Sequence, residues 1–441
     1  MGKPDVIAAV ATAPGRGAIG VVRVSGADLT EMMAGLFGRL LTPRLATLTK
    51  FLDARGNVLD SGIGLYFPAP RSYTGEDVLE LQGHGGSGVL RLVLGRCLEM
   101  GARLAEPGEF TRRAFLNGKI DLAQAESVAD LIEASSESAA RAAIRSLNGA
   151  FSDAVETLQL LLLRVRTQLE AEIDFPEDSV GGVEQSSLVE DLTVALDAVR
   201  DLLRQAIRGR RLRDGMKVAI IGAPNVGKST LLNFLAGDTV AIVTDIPGTT
   251  RDAISVDITL AGMPLTLVDT AGIRGTDDPV EQIGVQKALD AAKSADIILN
   301  IRDTLPQVAT ESLHAWLPRN VQQISVLNKA DLLNIGDWPQ DPSVVCISAK
   351  TGQGIDELCQ IVVDAMELQD ASEANFIARE RHVIALEEAI WHIEAARDHG
   401  GGSEFVAEEL RLANVALGRI MGQLAADDLL GHIFSTFCIG K

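Results

Sequence analysis

The chain is poor in cysteine. Only Cys97, Cys346, Cys359 and Cys438 occur in 441 residues, with no metal-binding spacing. That argues against a cysteine-built metal centre or a disulfide-stapled secreted scaffold, and it suits a reducing cytoplasm. Long apolar runs are also missing: no stretch of about 18 such residues could cross a bilayer. The first residues, Met1-Gly-Lys-Pro-Asp5, lack a signal-peptide pattern and the Ser or Thr that N-myristoylation wants at position six. A cytoplasmic protein with no membrane partner is expected. Positive charge is short as well: 40 Lys and Arg stand against 60 Asp and Glu, for a net charge of −20. Such a chain does not grip a nucleic-acid backbone unaided over its whole surface; RNA contact needs a local basic patch or a basic partner. Arg204, Arg208, Arg210, Arg211 and Arg213 form one basic cluster, which reads more simply as a solvated helix end and linker.

What is present is a globular chain, 46% apolar and too long for one ordinary core. Strand patterns over Val6–Thr12, Ala18–Val24, Gly62–Phe67 and Asp77–Gln82, then a helix from Ser87 to Met100, predict an N-terminal α+β module. From Leu122 the texture turns helical, through Ala123–Glu133, Ser138–Leu147, Phe151–Ala171 and Leu188–Arg208, with a break at Pro176 and Gly181-Gly182. Strands return at Lys217 and continue to a helix over Ile355–Leu368. Helical texture then resumes over Phe376–His399 and Phe405–Gln423. The expected fold class is multidomain α+β and α/β, in four pieces. An N-terminal module covers 1–117, a first helical part 118–214, an inserted α/β domain 215–368 and a second helical part 369–441.

The inserted region carries the chemistry. Gly222-Ala-Pro-Asn225-Val226-Gly227-Lys228-Ser229 fits the phosphate-cradling pattern G-x-x-x-x-G-K-[ST], between a buried strand and a helix start that runs on through Thr230. Its glycines let backbone N–H groups turn onto a polyphosphate, Lys228 reaches the β- and γ-phosphates, and Ser229 suits Mg²⁺. Asp269-Thr270-Ala271-Gly272 follows an apolar strand, where a carboxylate can hold the Mg²⁺ hydration shell and the Gly272 N–H can sense a γ-phosphate. Asn328-Lys329-Ala330-Asp331 offers an acid to the paired donors of guanine, which adenine lacks, so GTP is selected over ATP. Ser348-Ala349-Lys350 fits a loop closing over the base, and in Thr249-Thr250-Arg251-Asp252 a threonine hydroxyl can complete the Mg²⁺ shell. Each piece alone is weak. In this order, each beside its strand, they resemble a Ras-like P-loop GTPase domain.

One more absence matters. Ras-type loops place Gln after Asp-Thr-Ala-Gly to orient the attacking water; here that residue is Ile273, which has neither donor nor acceptor. Asp277, Asp278 and Glu281 are the nearby carboxylates that could replace it. Asn225 has two readings, a loop cap or an amide that helps cage a monovalent cation beside the β/γ bridge.

Across nearly its whole length the chain also resembles the MnmE (TrmE) family of tRNA-modification GTPases. The resemblance rests on Ala13-Pro-Gly-Arg-Gly17, Tyr73-Thr-Gly-Glu-Asp77, Leu79-Glu-Leu-Gln-Gly-His-Gly-Gly86, Glu106-Pro-Gly-Glu-Phe110 and Arg113-Ala-Phe-Leu-Asn117. It rests equally on Lys119-Ile-Asp-Leu-Ala-Gln-Ala125, Ile173-Asp-Phe-Pro176, Thr244-Asp245-Ile246-Pro247-Gly248-Thr249-Thr250-Arg-Asp252 and Phe437-Cys-Ile-Gly-Lys441. It implies a homodimer whose N-terminal module binds 5-formyltetrahydrofolate or methylene-tetrahydrofolate through Arg23, Glu80, Lys119 and Lys441. It implies K⁺ on Asn225, Thr244, Ile246 and Thr249, Mg²⁺ on Ser229 and Thr250, and Glu281 as the carboxylate that orients water. It further implies an FAD-containing partner, MnmG (GidA). With tRNA as substrate, the product bears an aminomethyl or carboxymethylaminomethyl group at carbon 5 of the wobble uridine.

Two residue sets keep a second reading. Arg23 and Glu80 alone would pass for a strand-surface salt bridge. Cys438 is either a nucleophile activated near Lys441 or a buried structural thiol. The rival functions are a GTP-switched assembly factor, which would need no folate residues, and a folate-dependent methyltransferase with a degenerate GTPase, against which the complete motif set speaks.

Overall fold

The computed structural model describes residues 5–174, 185–223, 225–238, 254–260, 263–269, 293, 295–303, 321–333, 341, 343–365, 375–398, 402–423, 427–435, 437 and 440. They form two compact units, one of residues 1–129, 152–182 and 398–441, the other of 130–151 and 183–397.

The first unit is built on six strands: β1 (Ile7–Val10), β2 (Ile19–Gly26), β3 (Thr47–Leu52), β4 (Val58–Phe67), β5 (Asp77–His84) and β6 (Arg103–Leu104). Their order is β3-β4-β5-β2-β1-β6, antiparallel except where β6 runs parallel to β1. Side chains alternate between the faces of a strand. Val22, Val24, Leu79 and Leu81 therefore share one face, buried against Leu29, Met32, Met33, Leu36 and Phe37 around helix α1 (Thr30–Phe37) and against Val93 and Cys97 of α2 (Ser87–Glu99). The intervening residues Arg23 and Glu80 point to the other face and are paired across β2 and β5. Phe110 of α3 (Glu109–Leu116) is buried there with Ile7, Ala9 and Ala105.

Sequence reading missed β3, α1 and α3. In β3 the pattern points the wrong way: Leu48 is 78% exposed and only Phe51 is fully covered, so alternation gives no core face. The two helices have eight residues each, too short to establish a helical period.

The helical segments begin with α4 (Leu122–Glu133), α5 (Glu137–Leu147), α6 (Ala150–Asp174) and α7 (Gln185–Asp214). The division between the two units falls within α4 and α6, with α5 and α7 in the second unit. In the first unit, Leu122, Ala125 and Ala129 of α4 pack with Leu430, Ile433, Phe434 and Phe437 near the end of the chain. Gly108 has no room for a side chain, because a Cβ would lie 2.8 Å from the Phe434 carbonyl oxygen. A Cβ on Gly440 would lie 2.3 Å from the carbonyl oxygen of Val10. Gly440 is thus seated against β1 of the N-terminal sheet.

The second unit holds the other sheet, made of β7 (Met216–Gly222), β8 (Ile254–Leu260), β9 (Met263–Asp269), β10 (Ile297–Arg302), β11 (Gln322–Leu327) and β12 (Val344–Cys346). Its order is β12-β11-β10-β7-β9-β8, parallel except for the edge strand β8. Helices α8 (Lys228–Asp238) and α9 (Ile355–Ala365) supply Leu231, Leu232, Leu235, Leu358 and Val362 to the core on one face.

Helix α10 spans Glu380–Asp398, whereas periodicity had started it at Phe376. Residues 375–379 are irregular, with a bend at Phe376. Phe376 stacks on Phe151 at 4.5 Å between ring centroids, and the Ile377 N–H donates to Ser146 Oγ at 2.8 Å. Tertiary contacts outweigh helical propensity at these residues. Next to them, the buried carboxylate of Asp130 accepts from Arg213 Nε (2.8 Å) and Arg379 Nη2 (2.7 Å). It ties together α4 and the segments just before β7 and α10. Helices α11 (Ser403–Met421) and α12 (Asp427–Ser435) complete the chain.

Candidate guanine-nucleotide site

In a parallel sheet every strand delivers its carboxyl end to the same edge, and ligands bind in the crevice outside that edge. Here β7 leads into the phosphate-type loop, β9 ends at Asp269, β11 leads into Asn328–Asp331 and β12 leads into Ser348–Lys350. All four motifs therefore share one edge. Asp269 closes β9 beside β7, where it is register-paired with Ile220.

The loop after β7 is shaped by backbone sterics. A Cβ at Gly222 would sit 2.2 Å from the carbonyl oxygen of Ile301, so glycine is required for the strand to pass β10. Gly227 has φ 96°, and a Cβ there would be 2.3 Å from Asn328 Nδ2. Asn225 has φ 64° and is exposed. Asn enters that left-handed region more readily than most residues, which accounts for its presence on conformational grounds. Val226 is buried in the core beneath the loop. The Lys228 ammonium is buried and donates to the carbonyls of Gly222 (3.1 Å) and Ala223 (3.0 Å). A polyphosphate offers the same ammonium more highly charged acceptors. Ser229 and Thr230 present exposed side chains on the first turn of α8, where the helix dipole favours an anion.

The Asn328–Asp331 turn is anchored to its neighbours side chain by side chain. Asn328, almost fully buried, donates from Nδ2 to the Val226 carbonyl (2.7 Å) and accepts the Ala349 N–H at Oδ1 (2.9 Å). One amide thus joins the phosphate loop to the loop after β12. Asp331 Oδ1 accepts from the Ser348 hydroxyl at 2.7 Å, which orients the carboxylate. The Ala330 N–H bonds the Ile347 carbonyl (2.9 Å), and the Ser348 N–H bonds Gln353 (2.9 Å). Lys329 has φ 63°, and its ammonium pairs with Asp303 at 2.7 Å. Asp303, at the end of β10, belongs to no motif and was not anticipated. Its only signal in the sequence is an acid directly after a buried strand.

Thr244, Asp245, Ile246, Pro247, Gly248, Thr249, Thr250, Thr270, Ala271, Gly272, Glu281, Cys438 and Lys441 lie outside the described residues. The other three thiols are not activated. Burial pushes Cys97 up to about 12, and it also raises Cys346 and Cys359.

On the N-terminal sheet, Arg23 and Glu80 are brought together by their cross-strand register. Arg23 Nη2 lies 2.9 Å and Nε 3.1 Å from Glu80 Oε1, while Gln82 Nε2 donates to Oε2 at 3.2 Å. The guanidinium lies over Tyr73 (5.6 Å) and Phe110 (5.8 Å). The Tyr73 hydroxyl shares a hydrogen bond with Thr111 at 2.8 Å, and burial raises its pKa. Lys119 makes its bond elsewhere, to the carbonyl of Pro70 (3.1 Å). Tyr73, Thr111 and Gln82 were not singled out from the sequence. Gln82 follows Glu80 by two residues on the same face, so strand period alone could have found it.

The phosphate-type loop, the Asn-Lys-x-Asp turn and the Ser-Ala-Lys loop on one edge of a parallel sheet mark a P-loop GTPase domain of Ras-like type within the second unit. The family model described as "GTP-binding protein TrmE N-terminus" matches residues 6–119, and "MnmE helical domain" matches 122–438. A "tRNA modification GTPase MnmE" from Aromatoleum aromaticum is 52% identical over 99% of this chain and 98% of its own. Another with that name, from Azoarcus sp., is 51% identical over 99% and 98%. Among solved structures, Era in complex with MgGDPNP and a segment of 16S ribosomal RNA shares 30% identity over 34% of this chain and 56% of that one, at a TM-score of 0.29. The chain belongs to the MnmE family of tRNA-modification GTPases.

Proposed function

We propose that this chain hydrolyses GTP to GDP and phosphate, and that the resulting conformational cycle serves modification of the wobble uridine in certain tRNAs. The observation that carries the reading is the single Asn328 amide that joins the phosphate loop to the guanine-side loops. It joins motifs far apart in sequence, which supports reading them as one nucleotide site.

Lys228 balances the charge of the β- and γ-phosphates from its position at the start of α8, and Asp331 accepts the donor edge of guanine. Glu281 orients the attacking water in place of the glutamine that Ile273 replaces. Ser229 and Thr250 provide hard oxygen ligands that fit Mg²⁺, and Asn225, Thr244, Ile246 and Thr249 would hold K⁺. The exposed Ser229 side chain beside the loop and the outward Asn225 suit these roles. When bound, the two ions would offset the phosphate charge that an arginine finger offsets in other GTPases.

On the N-terminal module, Arg23, Glu80, Lys119 and Lys441 would hold a tetrahydrofolate, either 5-formyl or methylene. The partly buried Glu80 carboxylate fits the donor edge of a flat pterin, the Tyr73 and Phe110 rings beside Arg23 offer apolar surface, and cations fit its glutamate tail. When bound, the folate supplies a one-carbon unit. The FAD-containing MnmG (GidA) is the proposed partner, and much of the affinity for tRNA would come from it, in keeping with a net charge of −20. A homodimer, a cytoplasmic setting, and GTPase-domain pairing across K⁺ complete the proposal. So does the four-part division at 117, 214 and 368. Among the described residues, no helix is long and apolar enough to cross a membrane.

The deciding experiment is mass spectrometry of tRNA nucleosides from cells lacking the chain. A missing carbon-5 substituent on the wobble uridine is expected. An intact substituent with defective ribosome assembly would instead favour the GTP-switched assembly factor. Hydrolysis measured in KCl and in NaCl tests the cation, and equal rates would remove it.

A further inference from the structure

The Asn328–Asp331 turn reads guanine only if it keeps its shape, and each of its polar side chains is held by a different neighbour. Asn328 is tied to the phosphate loop and to Ala349, and Asp331 is tied to Ser348. Lys329 stands between them in a left-handed backbone conformation, φ 63°, that a non-glycine residue adopts only when its surroundings impose it. Its ammonium is held by Asp303, at 2.7 Å.

Asp303 immediately follows β10. In the sheet β10 lies between β7, which carries the phosphate loop, and β11, which carries the turn. Strand register fixes this arrangement, since Arg302 is paired with Leu327 and the Asn328 N–H donates to the Arg302 carbonyl at 2.7 Å. Asp303 and Lys329 are therefore presented side by side at the edge where nucleotide binds, between its phosphate end and its base end. Both side chains are about a third exposed, 37% for Lys329 and 31% for Asp303.

We propose that Asp303 is a positioning residue of the nucleotide site. Its carboxylate anchors Lys329, keeps the turn in the form that accepts guanine, and so governs how long the nucleotide stays bound. It touches none of the reacting atoms, and the chemical step does not depend on it.

Stopped-flow release of a fluorescent GDP from the full chain tests this. Asp303→Asn keeps the shape and removes the charge. Release should quicken by about threefold to fivefold, the range of a partly exposed ion pair. KM for GTP should rise with kcat unchanged, and the thermal midpoint of the nucleotide-free protein should hold. Lys329→Met should also quicken release, and the double variant should release no faster than either single one. Asp303→Glu, which restores the charge, should return release toward the parent rate. Parent-rate release in Asp303→Asn would overturn the proposal. So would multiplying effects in the double variant, or equally fast release in Asp303→Asn and Asp303→Glu.

Discussion

The two candidate sites are built on opposite principles of sheet construction. The GTPase sheet is parallel, so its functional groups sit in loops at one edge. Each loop is a run of consecutive residues, as in Asn225–Ser229 or Asn328–Asp331. The N-terminal sheet is antiparallel, and its polar groups sit on a face, at every second residue of separate strands. Arg23, Glu80 and Gln82 meet because β2 and β5 are in register, with no contiguous segment to announce it. Edge sites are therefore written in sequence as words, and face sites as single letters.

The contrast yields four tests, the largest effect first. At the edge, residues act on bound nucleotide and the core lies below them. Glu281→Ala should keep GTP binding and lose turnover by about 100-fold to 1,000-fold, the scale of a single transition-state contact. Single-turnover hydrolysis reads this, and normal turnover would pass the role to Asp277 or Asp278.

Asp331→Asn should weaken binding of guanine nucleotide by about 1.5–3 kcal/mol, the worth of a hydrogen bond to a charged group. Competition between GDP and xanthosine diphosphate checks it. An unchanged preference would detach Asp331 from the base.

On the sheet face, binding and folding share the same residues. Glu80→Ala should abolish detectable tetrahydrofolate binding in calorimetry and also lower stability by about 1 kcal/mol, since the partly buried Arg23 loses its partner. A variant that binds folate normally would return the pair to a purely structural role and break the comparison.

The smallest effect is on pH. Burial alone would raise the Glu109 carboxyl, but hydrogen bonds from Arg103, the Glu106 N–H and Arg113 hold it below its ordinary 4.5. A depressed carboxylate contributes stability above its unfolded value and loses it as pH falls through the folded one. Urea midpoints should thus be level from neutral pH to about 5 and decline below 4.5. In Glu109→Gln that decline should be shallower.

The same contrast explains what could be read in advance. The glycine-shaped loops at the edge of the parallel sheet and most long helices were legible, because glycine sterics and helical period act on neighbouring residues. Asp303 was not, because its meaning comes from β10 lying next to β11, a fact of strand order. Tyr73 and Thr111 were not, because Tyr73 reaches Arg23 from a loop and Thr111 reaches Tyr73 from α3, whose eight residues show no period. The non-helical start before α10 was misread because Phe376 and Ile377 look helical until Phe151 and Ser146 claim them. The Arg23–Glu80 pair was visible as a resemblance, and alone it looked like any surface ion pair.

The seating of Phe437 and Gly440 against α4 and the first strand has a consequence during synthesis. Translation adds about 5–20 residues per second. The opening module emerges tens of seconds before the segment that completes its packing, with the whole GTPase made in between. The newborn module must wait with Leu122, Ala125 and the groove beside Gly108 uncovered, a window in which a chaperone would find it.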